Sequence, residues 1–360
     1  MFSLLPYTAP DFTEKRFTDA PEIRTAPAPK DAVAPEGFHA TSIFPEYFKV
    51  GGTWLLAEES RMDCVPVLED GRILVKEFRR LKQGEAVVVG RTEDGSDGIF
   101  VHTDGFPTAA PEEMAFSFRG NRTRETAFAR DYDELAELLR YEKEHGKIVW
   151  VLGPAFCFDA AARDAMAALI RRGYAHAVLA GNALATHDLE GSYLGTALGQ
   201  DLYTRRSMPN GHYNHLDTIN RVKLDGGIPA FLEREGISDG IVASCAEAGV
   251  PCVLCGSIRD DGPLPEVYGN VYDAQDAMRA ELRTATTVIC LATMLHTIAV
   301  GNTTPSFRVL PDGTVRQIYF YCVDVSEFVI NKLSDRGSLT SRGIVANVHD
   351  FAVLLEKELR

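Results

Sequence analysis

One stretch of the chain reads Val253-Leu254-Cys255-Gly256-Ser257-Ile258-Arg259-Asp260-Asp261-Gly262-Pro263-Leu264-Pro265, an apolar run that ends at once in a charged turn. Residues 252–255 are apolar enough for an interior strand of a parallel sheet. Glycine and serine at 256–257 remove bulk where the backbone bends, and the glycine and prolines at 262–265 fix the exit of the turn. Because ligands of open α/β sheets bind at the carboxyl ends of strands, this turn is predicted to form part of a binding site.

The charged residues of this turn allow two interpretations. Arg259, Asp260 and Asp261 could together hold a small charged ligand at the end of the strand. They could also pair with one another and fix a structural turn, without contacting a ligand. The residue types alone leave both interpretations open.

Apolar runs alternate with helical patterns on both sides of this stretch. Strands are predicted at residues 148–152, 177–180, 252–255, 287–291 and 318–324. Helices are predicted at residues 131–145, 238–249, 271–283, 293–300, 326–333 and 348–359, and a further helix ends near residue 172. Strands separated by helices form a parallel sheet that is covered on both faces. We therefore predict an α/β fold in which residues 126–360 form a Rossmann-like domain with a parallel sheet.

Two regions precede this domain. Residues 1–36 are rich in proline, alanine and threonine, which is typical of an extended arm. Residues 37–125 contain short apolar runs that are separated by turn residues at roughly ten-residue spacing, which predicts a small β domain. The pattern fits a barrel or a sandwich, and we predict a small β-barrel.

Composition excludes several classes of partner. The net charge is −14, from 37 Lys and Arg against 51 Asp and Glu, so nucleic acids and anionic membranes are not expected partners. We find no signal peptide and no apolar run of about 20 residues that could span a membrane. Most of the seven cysteines lie in apolar runs, which favours buried thiols in a reducing cytoplasm. Cys252 and Cys255 have redox or metal spacing, but no second pair lies near them, and we predict no metal site.

Small or polar clusters follow several predicted strands. Gly153-Pro154-Ala155 would bring backbone amides and a helix start close to an anion, and Gly181-Asn182-Ala183 ends the next strand. Asp324 ends a strand, where an acid often holds ribose hydroxyls in nucleotide sites. Asp335 to Ser338 form a second charged turn. The ordinary Gly-x-Gly-x-x-Gly fingerprint is absent, yet together these clusters favour a dinucleotide enzyme over a binding module.

Histidines supply the candidate proton carriers. His212, Asn214 and His215 place two imidazoles and an amide within four residues. Without further acidic or cysteine ligands they suit proton transfer or hydrogen bonding better than metal binding. His296 lies at the start of a predicted helix, where it is either a core residue or a contact to a ligand.

Four motifs resemble those of the LOR/SDH family. They are Leu179 to Asp188, Cys255 to Pro265, Leu291 to Asn302, and Asp335 to Ser338. The resemblance runs from about residue 37 to the C-terminus, and its most specific part is the run Gly-Ser-Ile-Arg-Asp-Asp-Gly-Pro-Leu-Pro. Characterised members of the family include archaeal-type ornithine cyclodeaminases and the C-terminal part of cyanobacterial arginine-to-proline bifunctional enzymes.

The resemblance implies both a fold and an activity. The fold is a small β domain followed by a domain similar to the NAD-binding fold of deoxyhypusine synthase, which would account for the missing glycine fingerprint. The activity is conversion of L-ornithine to L-proline and ammonia, with NAD as a recycled cofactor and a small amino acid as the substrate. Such a site needs a cation for the substrate carboxylate, an acid or base near the amine, and a pocket that excludes water.

The same resemblance suggests roles for individual residues. Arg259 would bind the carboxylate; Asp260 or Asp261 would hold the amino groups or act as base, with His212 or His215 as the alternative proton carrier. The expected contacts to the cofactor are Gly153, Pro154, Ala155, Gly181, Asn182, Ala183, Gly256, Ser257, Asp324, Asp335 and Ser338. The expected contacts to the substrate are Asn214, His296 and Asn302.

Departures from the family leave two other functions open. Residues 156–159 read Phe-Cys-Phe-Asp where the family often has His-Thr-Gly-type residues, and Thr303-Thr304 replace bulkier apolar residues. Either change could alter the substrate, so one alternative is another NAD-dependent dehydrogenase or cyclodeaminase of an amino acid. The other alternative is a non-catalytic sensor of NAD or an amino acid. The arm and the helical surfaces are compatible with a homo-oligomer.

Overall fold

The computed structural model describes residues 2–59, 61–106, 129–260, 262–325, 339 and 341–360. Its largest element is a six-stranded parallel sheet. In chain order the strands, called here the first to the sixth, are Ile148–Leu152, Ala177–Gly181, Cys252–Cys255, Thr287–Leu291, Tyr319–Asp324 and Ser341–Val345. The predicted α/β fold with a parallel sheet is confirmed, and the sixth strand is one that the sequence pattern did not predict.

The order of the strands locates the ligand crevice. The chain adds the second and third strands on one side of the first, then crosses over and adds the fourth, fifth and sixth on the other side. The spatial order is therefore 3-2-1-4-5-6, as in doubly wound dinucleotide-binding sheets. The first and fourth strands pair from Ile148 opposite Thr287 to Leu152 opposite Leu291. Chain direction across the sheet reverses between these two strands, and such sheets bind ligands at the carboxyl ends of the strands there.

Both faces of the sheet are buried, which explains why its strands are continuously apolar. Trp150 and Leu152 pack in a core on one face, while Val149 and Val151 pack in a second core on the other. The same alternation separates Cys252, which packs against the first core, from Cys255 in the second. The two thiols therefore face opposite sides of the sheet and cannot act as a redox pair.

Helices cover the sheet and are bounded by polar caps and glycines. The longer ones are Ala129–His145, Ala160–Arg171, Asn182–Leu194, Asn214–Asp225, Ile228–Glu235, Ile241–Ala248, Val271–Leu282, Met294–Thr303 and Val348–Glu358. The side chains of Asp159, Asn270 and Asn347 accept hydrogen bonds from the first turns of the helices that they precede. The predicted start at residue 238 is wrong, because that helix begins at Ile241 after Gly240. The predicted helix 326–333 lies outside the described residues.

Three helices between the second and third strands were not predicted. The sequence pattern predicted no helix after residue 181, but Asn182–Leu194 is a helix that contains Gly191. A Cβ atom on Gly191 would lie 3.0 Å from the guanidinium of Arg163, so this glycine allows the buried ion pair between Arg163 and Asp188 to pack against the helix. Gly195 ends the helix in the left-handed conformation. These glycines therefore serve packing and helix termination.

The N-terminal part of the chain is an antiparallel β unit. Its strands are Arg24–Pro27, Glu46–Val50, Thr53–Leu56, Val65–Glu69, Arg72–Lys76, Ala86–Val89 and Ile99–Val101. They form a four-stranded and a three-stranded sheet around a shared core that includes Phe48, Ile73 and Val88. The described strands thus form two packed sheets, as in a sandwich, where we predicted a barrel.

Part of the predicted arm belongs to this β unit. Arg24–Pro27 pairs with Ala86–Val89, and the short helix Lys15–Thr18 buries Phe17 completely. Lys49 donates hydrogen bonds to the backbone carbonyls of Phe17, Thr18 and Ala20, which anchors the start of the chain on the sheet. The β unit in turn packs against the helix Val271–Leu282 through ion pairs such as Arg79 to Asp276, at 2.6 Å. Among the described residues, no helix combines the length and apolar character needed to cross a membrane.

Candidate functional site

The carboxyl ends of the first and fourth strands meet in a very tight backbone contact. Gly153 donates a hydrogen bond from its amide to the carbonyl of Leu291 at 2.9 Å. A Cβ atom on Gly153 would lie 1.8 Å from the carbonyl oxygen of Ala292, so only glycine fits here. Ala292 itself adopts a left-handed backbone with φ of 53°, which is uncommon for alanine and typical of constrained sites. The structure therefore places a strained, close-packed turn at the point where the sheet reverses direction.

The second strand leads directly into a helix, which starts at Asn182. Gly181 precedes that helix and offers no side-chain cap to its first turn, so the backbone amides at the helix start face the edge of the sheet with a positive partial charge. The side chain of Asn182 is used structurally, because its Oδ1 accepts a hydrogen bond from the amide of Leu264 at 3.0 Å. Asn182 thereby ties the second strand to the turn that follows the third.

That turn is stabilised by one of its own acids. Asp260 accepts a hydrogen bond from the amide of Ser257 at 2.7 Å, and the amide of Asp260 donates to the carbonyl of Ser257 at 3.0 Å. Asp260 therefore fixes the turn through the backbone of Ser257, and the pairing with Arg259 that one interpretation predicted is not seen among the described residues. Arg259 is exposed and free to reach a ligand at this edge, whereas Asp261 lies outside the described residues.

His296 joins three strand ends. A Cβ atom on Gly181 would lie 3.1 Å from Cε1 of His296, so the imidazole packs directly on this glycine. Burial lowers the pKa of His296 below its ordinary value near 6.5, although the carboxylate of Asp260 partly opposes the shift. His296 is therefore a neutral imidazole at pH 7, held between the ends of the second, third and fourth strands.

Other predicted cofactor contacts lie at the same edge. Gly256, at the end of the third strand, donates from its amide to the carbonyl of Tyr268, which closes the strand end. Nε2 of His349 is hydrogen-bonded to the carbonyl oxygen of Ala155 at 2.8 Å. The sequence did not single out His349. Asp324 ends the fifth strand, next to the fourth. Asp335 and Ser338 lie outside the described residues.

A second group of polar residues surrounds the helix that starts at Asn182. His187 is buried, and its Nδ1 lies 2.9 Å from Oε2 of Glu190. The ring of His187 also lies 6.2 Å from that of His215 and 5.5 Å from that of Phe158, which follows the first strand. Nδ1 of His215 is buried without a hydrogen-bond partner among the described residues. The buried imidazole of His187 and the half-buried imidazole of His215 thus form a pair near the sheet edge.

Hydrogen bonding fixes the proton on His187. Glu190 is completely buried, which by itself raises the pKa of its carboxyl group, but hydrogen bonds from His187, Gly199 and Thr196 outweigh burial and lower that pKa. An ionised Glu190 can only accept, so Nδ1 of His187 carries a proton, and in the neutral imidazole Nε2 presents a lone pair. This is the arrangement by which a carboxylate orients a histidine base. Residues three apart share one face of a helix, so the spacing of His187 and Glu190 would have indicated the pair if this helix had been predicted.

The other members of the histidine cluster differ in position. Asn214 joins the network through a hydrogen bond from its Nδ2 to Oγ1 of Thr196 at 2.8 Å. His212 is exposed and stacks near Tyr213, with ring centroids 4.2 Å apart. Asn302 is exposed in the last turn of its helix, about 12 Å along the axis from the helix start at 1.5 Å per residue. The structure therefore brings His215 and Asn214 into the buried group, but it does not bring His212 or Asn302 there.

The two sequence departures have structural roles. Phe156 and Cys157 are fully buried, and Asp159 caps the following helix through the amide of Ala162 at 3.0 Å. The hydroxyls of Thr303 and Thr304 donate to backbone carbonyls one turn earlier in their own helix. The side chains of Asp159, Thr303 and Thr304 are thus occupied by hydrogen bonds to nearby backbone atoms. The departures are therefore accounted for by local packing and capping.

Two cavities lie away from this edge. One, of about 570 Å³, lies between the start of the chain and residues 309–316. The other, of about 420 Å³, lies between the β unit and the helix Val271–Leu282. At the sheet edge itself, the uncapped helix start after Gly181 lies beside the partly buried His296. The described residues contain no cluster of three or more His, Cys, Asp or Glu side chains suited to a metal ion.

The strand order and the glycine contacts at the crevice define a doubly wound α/β protein of the Rossmann class. The model for the family described as arginine dihydrolase ArgZ-like, C-terminal, Rossmann fold matches residues 133–355. The chain belongs to this family.

Known relatives agree with that assignment. The chain is 40% identical to an ornithine cyclodeaminase of Methanopyrus kandleri over 94% of its own length and 79% of the relative. The crystal structure of a conserved LOR/SDH protein from Methanococcus maripaludis superposes with a TM-score of 0.84, at 34% identity, over 94% of this chain and 98% of that one. AgrE, a bifunctional arginine dihydrolase/ornithine cyclodeaminase of Nostoc, was solved as a ternary complex with ornithine and NAD+. That complex matches at 32% identity and a TM-score of 0.57, over 95% of this chain and 46% of AgrE. The predicted resemblance to the LOR/SDH family is confirmed.

Proposed function

We propose that this protein is an NAD-dependent ornithine cyclodeaminase, which converts L-ornithine to L-proline and ammonia. The observation that carries the proposal is 40% identity with an ornithine cyclodeaminase across 94% of the chain. A second line of support is the complex of AgrE with ornithine and NAD+, since AgrE shares this fold. The overall reaction is redox-neutral, because the two hydrogens lost when the amine is oxidised are regained when the cyclic imine is reduced.

The residues at the crevice suit a dinucleotide. The uncapped helix start after Gly181 leaves backbone amides available to a pyrophosphate. Asp324 is proposed to hold a ribose, and Gly256 and Ser257 to line the same edge. NAD, when bound, supplies hydride transfer. Asp335 and Ser338 remain proposed contacts from the same edge.

Arg259 is proposed to hold the carboxylate of ornithine. Its side chain is exposed on a turn whose shape is fixed by Asp260 and Ser257, so the guanidinium can fold over a ligand without rearranging the backbone. A guanidinium matches a carboxylate through two parallel hydrogen bonds. The carboxylate of Asp260 is hydrogen-bonded within the turn, so Asp260 is proposed to position Arg259 and to face His296. Asp261 is proposed to bind the amino groups of ornithine.

His187 and His215 are proposed to carry out the proton transfers. His187 presents Nε2 as a lone pair because Glu190 holds the proton on Nδ1. His215 lies beside it with an unpaired buried Nδ1, and Asn214 links the pair to Thr196. These groups can take a proton from a substrate amine and return one to the departing ammonia. The sequence named Asp260 or Asp261 as the base, with His212 or His215 as the alternative proton carrier; the proposal keeps His215, adds His187 and leaves out His212, which is exposed.

The proposal is tested by incubating the purified protein with NAD and L-ornithine and measuring proline, ammonia and NADH together. Equal amounts of proline and ammonia, with NADH constant, are expected. Accumulating NADH would assign the protein to the dehydrogenases. Binding of NAD that raises the unfolding temperature, without any product, would assign it to the sensors.

We further propose a cytoplasmic homo-oligomer that contributes to proline biosynthesis. The seven cysteines are free thiols, six of them buried, which suits a reducing compartment. Oligomerisation is supported by exposed apolar side chains such as Leu224 and Tyr203 on the helical surface. Light scattering coupled to size-exclusion chromatography would give the mass directly, and a monomer at micromolar concentration would refute this part.

A further inference from the structure

A cluster of arginines lies where the β unit packs on the helix Val271–Leu282. Its members are Arg61, Arg79 and Arg80 from the β unit and Arg279 and Arg283 from the helical side. The cavity of about 420 Å³ opens among them and is lined by Arg80, Arg279 and Arg283. This volume lies within the range of small-molecule sites, which is about 300–1,000 Å³.

The carboxylates of this interface are too few to neutralise the arginines. Glu77 is shared by Arg61 and Arg279, Glu59 by Arg279 and Arg283, and Asp276 by Arg79 and Arg80. Five guanidinium groups therefore meet three carboxylates among the described residues, which leaves an excess of two positive charges. Lys76, which also lines the cavity, has its own partners in Glu69 and Glu85. The excess is notable in a chain whose net charge is −14.

Buried donors of the cluster also lack hydrogen-bond partners. Arg279 is 7% exposed and Arg61 is 4% exposed, and Nε of each is buried without an acceptor among the described residues. Burial, together with the nearby guanidinium of Arg61, lowers the pKa of Arg279 to about 10. Arg279 lines the cavity and shares Glu77 with Arg61, so negative charge in the cavity would offset part of the cost of burying these two guanidiniums.

We propose that this cavity is a binding site for a small multivalent anion, of the phosphate or polycarboxylate class, separate from the crevice of the parallel sheet. Arginine forks match the oxygens of such anions through paired hydrogen bonds. Arg80 and Arg283 reach the cavity from opposite sides of the interface, so the anion bridges the β unit and the Rossmann-type domain. Binding therefore stabilises the packing of the two parts against each other.

The test is calorimetric titration of the full chain, at low ionic strength, with inorganic phosphate, pyrophosphate and citrate in separate runs. Arg80→Gln and Arg283→Gln remove partly exposed guanidiniums from the cavity, and Arg72→Gln removes an exposed one elsewhere on the β unit as the matched control. Each cavity variant is expected to weaken binding by about tenfold or more, and the control to leave it unchanged. Asp276→Asn removes a competing carboxylate and is expected to strengthen binding.

The three anions distinguish the chemical source. Tighter binding of phosphate or pyrophosphate identifies a phosphorylated ligand, and tighter binding of citrate identifies a polycarboxylate. Repeating the titration with NAD at saturation keeps the crevice of the parallel sheet from contributing. The proposal is overturned if the unaltered protein binds none of the three anions saturably, or if the cavity variants bind as well as the control does.

Discussion

His187 and Glu190 show how a functional pair is assembled from residues that are unremarkable singly. Each is a polar residue of a helix that is buried along most of its length, and burial together with their hydrogen bond gives the pair the geometry proposed for an oriented base and its carboxylate. Glu190 also fixes the loop after the helix, because the amides of Leu198 and Gly199 donate to it. Under the proposed role of His187, substrate chemistry and local folding would both depend on the same carboxylate.

Replacing His187 by alanine is expected to lower kcat by about 10²–10⁴-fold, the usual contribution of a general acid–base group. The control is His212→Ala, because His212 is exposed and lies outside the buried network. Steady-state kinetics on ornithine with NAD at saturation would measure both, and unfolding temperatures would check that both variants fold. Equal losses in the two variants, or a loss confined to His212→Ala, would contradict the assignment.

His296 predicts a dependence of stability on pH. Its pKa in the folded protein lies below the ordinary value near 6.5 because the ring is buried. On acidification the unfolded chain therefore takes up a proton before the folded protein does, and the free energy of unfolding falls as the pH drops through about 6.5. In His296→Asn this fall should be smaller between about pH 7.5 and about pH 5.5, measured by urea unfolding. The same pH dependence of unfolding free energy in both proteins would refute the burial argument. His176, whose pKa is also lowered by burial, contributes a pH dependence that the two proteins share.

At the scale of elements, the contact between the first and fourth strands controls the shape of the crevice. Gly153→Ala would place a methyl group 1.8 Å from the carbonyl oxygen of Ala292, which the backbone can only relieve by separating the two strand ends. The variant is expected to lose about 1–3 kcal/mol of unfolding free energy, as overpacked sites do, and to bind NAD more weakly.

The matched control for this substitution is Gly269→Ala. A Cβ atom on Gly269 would meet nothing within 4 Å, and its backbone is not in the left-handed region. Denaturant titration and NAD binding of the two variants should therefore differ clearly. Equal stability of Gly153→Ala and Gly269→Ala would show that the strand ends can separate freely and that the close contact is not a constraint.

The strands and helices were predicted well where the hydrophobic periodicity and the turn residues indicate the same boundary. The strand 287–291 was found from its continuous apolar run, the strand 148–152 from an apolar run that ends in Gly-Pro, and the turn after residue 255 from its glycine and charges. The helix Asn182–Leu194 was not predicted, because Gly191 is unfavourable in a helical pattern and is required only by the guanidinium of Arg163, a contact from a distant part of the chain. His187 was missed for the same reason, since its burial is set by tertiary packing.

At the scale of the whole molecule, the sheet order 3-2-1-4-5-6 could not be read from the sequence, because the crossover between the third and fourth strands depends on long-range pairing. The family resemblance supplied the activity, and the sheet order explains where that activity is placed. The crevice, the charged turn and the histidine pair all lie on the first three strand connections of one domain. The β unit contributes none of these groups and meets that domain through ion pairs on the helix Val271–Leu282.

The central claim is that this chain oxidises and reduces the same carbon of one substrate molecule. The most direct measurement is turnover of L-ornithine that carries deuterium at the α-carbon, with unlabelled NAD, followed by mass spectrometry of the proline. The account predicts proline that retains deuterium at its α-carbon, with ammonia formed in equal amount and no net NADH. Proline without the label, or label found only in accumulated NADH, would contradict it.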